Sequence, residues 1–63
     1  MTLEESVNEA AKELPEDWII EINVENGSAW ITLYDGCGNS ASVSGETLSE
    51  QVLAAISHAK EHS

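Results

Sequence analysis

The dipeptide Asn26-Gly27 constrains this chain more than any other feature, because it separates two segments in which apolar and polar residues alternate. The alternation runs from Trp18 to Glu25 on one side and resumes at Ser28 on the other, which is typical of strands with one buried face. Asn-Gly favours a two-residue type I′ turn, which requires a positive φ at both central residues. The sequence therefore predicts an antiparallel hairpin.

A two-residue loop also fixes which residues face each other across the hairpin. Glu25 is expected opposite Ser28, and Asn23 opposite Trp30. The remaining pairs bring apolar residues together, with Val24 opposite Ala29, Ile22 opposite Ile31, Ile20 opposite Leu33 and Ile19 opposite Tyr34. The alternation and the turn thus agree on one register.

Helices are predicted at both ends of the chain. Thr2 followed by Glu5, and Thr47 followed by Glu50, have the spacing of a capping box, in which each side chain accepts from the other residue's backbone N–H. The first helix is expected to end before Pro15, and the second near Lys60. Each carries an apolar stripe with helical spacing, formed by Leu3, Val7, Ala10, Ala11 and Leu14 in the first and by Leu48, Val52, Ala55, Ile56 and Ala59 in the second.

A short third strand completes the expected fold. The turn-forming segment 35–39 precedes Ala41 and Val43, which alternate with serines. The element order is then α-β-β-β-α, an α+β class. We expect a three-stranded antiparallel meander with both helices packed on one face, and residues 1–63 form a single domain.

The net charge is the unusual feature of the composition. Twelve acidic residues against two lysines give −10. Such a field repels nucleic acid and anionic lipid and attracts basic surfaces. The alternative is that the acidity serves solubility alone.

Cys37 is the only cysteine, so an intrachain disulfide is excluded and a reducing cytoplasm is expected. Glu4 and Glu5 in the first turn are unlike the basic start of a signal peptide. No apolar run approaches the roughly 20 residues that cross a bilayer.

Part of the acidity has a pattern. Glutamates recur at every fourth position of the first helix, and further carboxylates follow toward the hairpin. A row of carboxylates on a rigid helix resembles the spaced charge of a nucleic-acid backbone. The predicted partner-binding acidic residues are Glu5, Glu9, Glu13, Glu16, Asp17, Glu21 and Glu25.

The sheet face opposite the helices is predicted to carry a clustered apolar patch. Its members are Ile19, Trp30, Thr32 and Tyr34. A clustered aromatic patch on a small domain often marks a partner or dimer face. The alternative is that Trp30 and Tyr34 serve strand propensity and cross-strand packing.

No catalytic residues, cofactor or metal site are predicted. The pair His58 and His62 has a spacing that can hold a divalent metal, yet no third ligand is evident. Cys37 has no neighbouring base to activate it. No phosphate-binding loop, dinucleotide fingerprint or G-x-S-x-G motif is present, so an enzyme is not expected.

Two resemblances bear on function. The order α-β-β-β-α is similar to the double-stranded RNA-binding domain, but Glu46 and Glu50 stand where that family has a basic cluster, so direct RNA binding is not expected. In size, charge and the hairpin around Asn26-Gly27, the chain resembles small acidic accessory proteins of bacteriophages. That group includes inhibitors of host nucleases and CRISPR effectors, some of them DNA mimics.

The resemblance implies a protein-binding inhibitor or accessory protein that blocks a basic, nucleic-acid-binding host protein in the cytoplasm. The alternative is a small assembly protein that forms a homodimer through the uncovered sheet face.

Overall fold

A computed structural model describes residues 2–62 and confirms the predicted order of elements. The elements are α1 (Leu3–Glu13), β1 (Ile19–Glu25), β2 (Ser28–Tyr34), β3 (Ser40–Ser42) and α2 (Leu48–Glu61). The strands form one antiparallel sheet in the order β1-β2-β3. The chain is thus an α-β-β-β-α domain with a meander sheet, and its two helices contact each other and the sheet.

The hairpin register is confirmed at every predicted pair, from Glu25 opposite Ser28 to Ile19 opposite Tyr34. The predicted turn type is wrong. Gly27 has a φ of 94°, whereas Asn26 is not among the residues with positive φ. A positive φ at the second central residue alone is the requirement of a type II turn. The two-residue loop length, which both turns share, is what sets the register.

The two helix starts differ in detail. The Thr2 hydroxyl accepts from the Glu5 backbone N–H at 3.2 Å, and Glu5 Oε1 accepts from the Thr2 N–H at 2.9 Å, so the first capping box is complete. At α2 the Thr47 hydroxyl accepts from the Glu50 N–H at 3.1 Å. The Glu50 carboxylate, however, accepts from the Glu46 N–H at 2.8 Å. The second predicted box is therefore only half formed.

The core lies between the helices and the inner face of the sheet, which we define as the face that carries Ile20, Ile22, Val24, Ala29, Ile31 and Leu33. Ile31 and Leu33 of β2 are buried against Val52, Ala55 and Ala59 of α2. The side chain of Ala10 brings α1 into the same core.

The inner face is covered less completely than expected. Ile22 remains 43% exposed and Val24 75% exposed, and Ala29 is exposed as well. The reason lies in α1, which buries the small residues Ser6 and Ala10 and packs chiefly against α2. Small side chains favour this helix–helix contact over one above the hairpin, so the turn end of the sheet stays open.

Candidate functional site

The glutamates of α1 are partly engaged in the fold. The Glu5 carboxylate accepts from the Thr2 backbone, and these hydrogen bonds, from the backbone first and the hydroxyl second, lower the pKa of Glu5. Glu13 Oε2 accepts from Lys60 Nζ of α2 at 3.2 Å, and Glu9 is half-buried. The predicted row therefore exists on the helix, but two of its three members already bind groups of this chain.

The other predicted carboxylates lie elsewhere. Glu16 and Asp17 are exposed in the connection between α1 and β1. Glu21 and Glu25 alternate with the inner-face residues of β1 and so stand on the outer face of the sheet. Because α1 packs on the inner side of the sheet, the acidic residues of α1 and those of β1 lie on different surfaces, and the seven do not form one continuous row.

On the outer face of the sheet, Asn23 forms hydrogen bonds to three of the predicted residues. In the amide orientation that satisfies every group, Asn23 accepts from Thr32 Oγ1 at 3.0 Å and from the Trp30 indole N–H at 3.3 Å, and it donates to Glu21 Oε1 at 2.8 Å. Trp30 is nevertheless 40% exposed, and Ile19 is 60% exposed. Thr32 and Tyr34, the other two members of the predicted patch, are half-buried on the same face.

An apolar groove between α1 and β1 was not predicted. Its volume is about 210 Å³, and it opens to solvent. One wall carries Ile20 and Ile22 of β1, Val52 of α2 contributes to its lining, and the other wall carries Val7, Ala10, Ala11 and Leu14 of α1. We call it the α1–β1 groove. The apolar stripes of α1 and β1 were visible in the sequence. The gap between them depends on where α1 packs on the sheet, which the sequence pattern does not show.

The α1–β1 groove and the glutamate row face different directions. Successive helical residues are rotated by about 100°, so Glu9 lies about 200° from Val7 around the α1 axis. The groove is therefore on the side of α1 away from Glu9.

β1 is an edge strand with one open side. Its hydrogen-bonded neighbour is β2, and no other strand of the described chain pairs with it. It contains no proline or lysine, and its pairing with β2 is continuous through all seven residues. Proline, lysine and β-bulges usually protect an edge strand from pairing with another strand. Of such protective features β1 has only its charged glutamates.

A second cleft, with a volume of about 270 Å³, lies between β3 and the C-terminal part of α2. Trp18, His58, His62 and Asp35 are among its lining residues. The histidine rings pack together with centroids 4.4 Å apart. Asp35 accepts from the backbone N–H groups of Cys37 and Asn39, at 2.8 and 3.0 Å, so its oxygens serve the loop.

The loop bonds also affect the charge of Asp35. Hydrogen bonds from the Asn39 backbone and then its side chain lower the pKa of Asp35, with smaller contributions from Cys37 and Gly38. In residues 2–62 no group of three or more His, Cys, Asp or Glu side chains is placed to hold a metal ion. Neither described helix is long and apolar enough to cross a membrane.

The comparisons with known proteins add no further constraint. No protein family, no curated protein and no solved structure matches this chain.

Proposed function

We propose that this chain is a non-enzymatic protein-binding domain, an inhibitor or accessory protein that occupies the basic surface of a nucleic-acid-binding protein in the cytoplasm. The observation that supports the proposal is the excess of exposed carboxylates. Twelve acidic residues face two lysines, and ten of the twelve are exposed, all except Glu9 and Asp35. The negative charge therefore lies at the surface, where it can attract a basic partner.

The mechanism is electrostatic and steric blocking. Carboxylates attract a basic surface and raise the association rate, and the bulk of the domain then excludes nucleic acid from that surface. The two acidic surfaces give two candidate contact regions, one on α1 and one on the outer face of β1.

Three double variants with equal net charge test the proposal. Glu9→Gln with Glu13→Gln reduces the α1 surface, and Glu21→Gln with Glu25→Gln reduces the β1 surface. Glu46→Gln with Glu61→Gln is the matched control, because both residues are exposed and lie outside the predicted surfaces. Each is assayed for displacing a DNA duplex from a purified basic nucleic-acid-binding protein, at low and high salt.

We expect at least one surface variant to lose about fivefold more affinity than the control, since close charge pairs at an interface contribute on the order of 1 kcal/mol or more. Affinity of the wild type should fall as salt rises. Equal losses in all three variants would contradict a defined acidic surface, and a wild type that displaces no DNA would contradict the proposal itself.

A second candidate is self-association through the outer sheet face, favoured by the exposure of Ile19 and Trp30. In this case the charge serves solubility. Sedimentation of the wild type and of Trp30→Ser separates the two functions: a concentration-dependent dimer that Trp30→Ser dissociates supports self-association. A monomer in both proteins at every concentration excludes it.

A further inference from the structure

We infer that the α1–β1 groove and the open edge of β1 form one docking site for an extended partner segment in which basic and apolar residues alternate. The segment adds a strand to the sheet beside β1. This inference rests on the proposed function in one respect, that the partner is basic, and it specifies which part of this chain the partner contacts and in what conformation.

The backbone of β1 is suited to strand addition. The Ile31 backbone N–H donates to Gln51 Oε1 of α2 at 3.2 Å, so it points away from its cross-strand partner Ile22. Ile22 and Ile31 are thus a non-hydrogen-bonded pair, and in such a pair both residues direct their N–H and C=O groups outward. Since hydrogen-bonded and non-hydrogen-bonded pairs alternate, Ile20, Ile22 and Val24 present their backbone groups to the open edge.

The same three residues place their side chains on the inner face. Val24 is 75% exposed and Ile22 43% exposed, and Ile20 and Ile22 form a wall of the groove. A strand that pairs with β1 continues this face, so alternate side chains of the added strand lie over the groove toward Val7 of α1. Apolar residues at those positions bury the exposed surface.

The intervening side chains of the added strand lie on the outer face beside Glu21 and Glu25. Opposite charges on neighbouring strands stabilise the pairing, whereas like charges destabilise it. Basic residues are therefore favoured at these positions. The alternation of β1 itself, apolar inside and acidic outside, specifies a partner that alternates apolar and basic residues.

A second copy of this chain matches only half of this pattern. Its own β1 would supply apolar residues to the inner face, but it would bring Glu21 and Glu25 of the copy to an outer face that is already acidic. Each copy also carries a net charge of −10. Charge complementarity thus favours a basic segment over a homodimer at this edge.

The probe is a capped peptide of seven residues, the length of β1, with lysine and valine alternating. A peptide of the same composition but with contiguous valines is the matched control, because its charge is identical. We expect the alternating peptide to bind about tenfold more tightly, since only its side chains divide between the two faces. Bound peptide should slow amide hydrogen exchange at Ile20, Ile22 and Val24.

Substitutions in this chain locate the site. Val24→Ser should weaken binding of the alternating peptide about fivefold through lost apolar contact, and the high exposure of Val24 leaves folding unaffected. Ala29→Ser is the matched control, because Ala29 is the cross-strand partner of Val24 on the inner face but lies one strand further from the edge. It should bind as the wild type does.

The outcomes separate this inference from the proposed function. Equal binding of both peptides without protection of the β1 amides overturns strand addition and leaves an acidic protein-binding surface. Failure of both peptides to bind counts against both proposals. A wild-type dimer that strengthens with salt and protects the same β1 amides assigns the edge to a second copy and overturns the choice of a basic segment.

Discussion

Asp17 of the α1–β1 connection packs closely against Gly36 of the loop that follows β2. Asp17 has a φ of 74°, a conformation that costs most residues with a side chain about 1–2 kcal/mol. A Cβ atom at position 36 would lie 2.7 Å from the Cβ of Asp17. Glycine at 36 is therefore required by the side chain at 17.

This contact predicts strong coupling between two substitutions. Gly36→Ala should lower the free energy of unfolding by about 1–3 kcal/mol through steric overlap. In an Asp17→Gly background the opposing Cβ is absent, and the same change should cost much less. Urea unfolding of both single variants and the double variant gives the coupling energy. Asp17→Asn is the control background, because it keeps the Cβ and should keep the full cost. Additive free energies in the Asp17→Gly background would contradict the contact.

Among the elements, the hairpin was the most predictable, because a two-residue loop and alternating side chains determine its register locally. Coverage of the inner face was not predictable in this way. An apolar pattern shows which face of a strand is suited to burial, but whether α1 lies over Val24 or beside α2 depends on the side-chain sizes at Ser6 and Ala10. The α1–β1 groove could not be predicted for the same reason.

The predicted acidic surface shows a similar limit. Helical spacing correctly places Glu5, Glu9 and Glu13 on one side of α1. Spacing within one element does not reveal that Lys60 of a distant helix binds Glu13, or that Glu21 lies on another surface. Both depend on the packing of α1 on the inner side of the sheet.

The short third strand gives α2 a role in completing the sheet. β3 pairs only with Thr32, Leu33 and Tyr34 of β2. The buried residue Ile31 therefore has no strand neighbour on that side, and its backbone N–H donates instead to the Gln51 side chain of α2. Gln51→Met leaves this N–H without an acceptor. We expect a loss of about 1–3 kcal/mol in the free energy of unfolding and faster hydrogen exchange at Ile31.

Gln51→Glu is the matched control for this prediction, because the carboxylate keeps an acceptor for the Ile31 N–H. It should retain most of the stability that Gln51→Met loses. Equal losses in the two variants would show that the side-chain bond does not support the sheet.

At the scale of the whole molecule, the net charge opposes folding. Compact packing brings carboxylates together, and only one ion pair, Lys60 with Glu13, is present among the described residues. Salt screens this repulsion, with a Debye length of about 10 Å at 0.1 M. The melting temperature at neutral pH should therefore rise with sodium chloride, by about 4–8 °C for each kcal/mol of repulsion removed. A melting temperature that is constant or falls over a salt series would contradict this expectation.

The same balance predicts how stability depends on acid. Protonation of carboxylates relieves repulsion, so stability should first rise as the pH falls from neutral. Glu5 and Asp35 act in the opposite direction, because hydrogen bonds lower their pKa in the folded chain. A lowered folded pKa contributes stability that is present above the unfolded values, about 4.3 for Glu and 3.9 for Asp, and that is lost as the pH falls through the folded pKa values.

The melting temperature should therefore pass through a maximum above about pH 4 and decline below it, as circular dichroism over a pH series can show. Glu5→Gln with Asp35→Asn retains oxygen acceptors but removes both titrating groups, so its decline below the maximum should be shallower. Glu46→Gln with Glu61→Gln changes the net charge equally and should keep the steep decline, because the hydrogen-bonded carboxylates of Glu5 and Asp35 are still present. If the melting temperatures of the two double variants fell equally steeply below the maximum, repulsion alone would govern the pH dependence, and the carboxylates of Glu5 and Asp35 would not contribute.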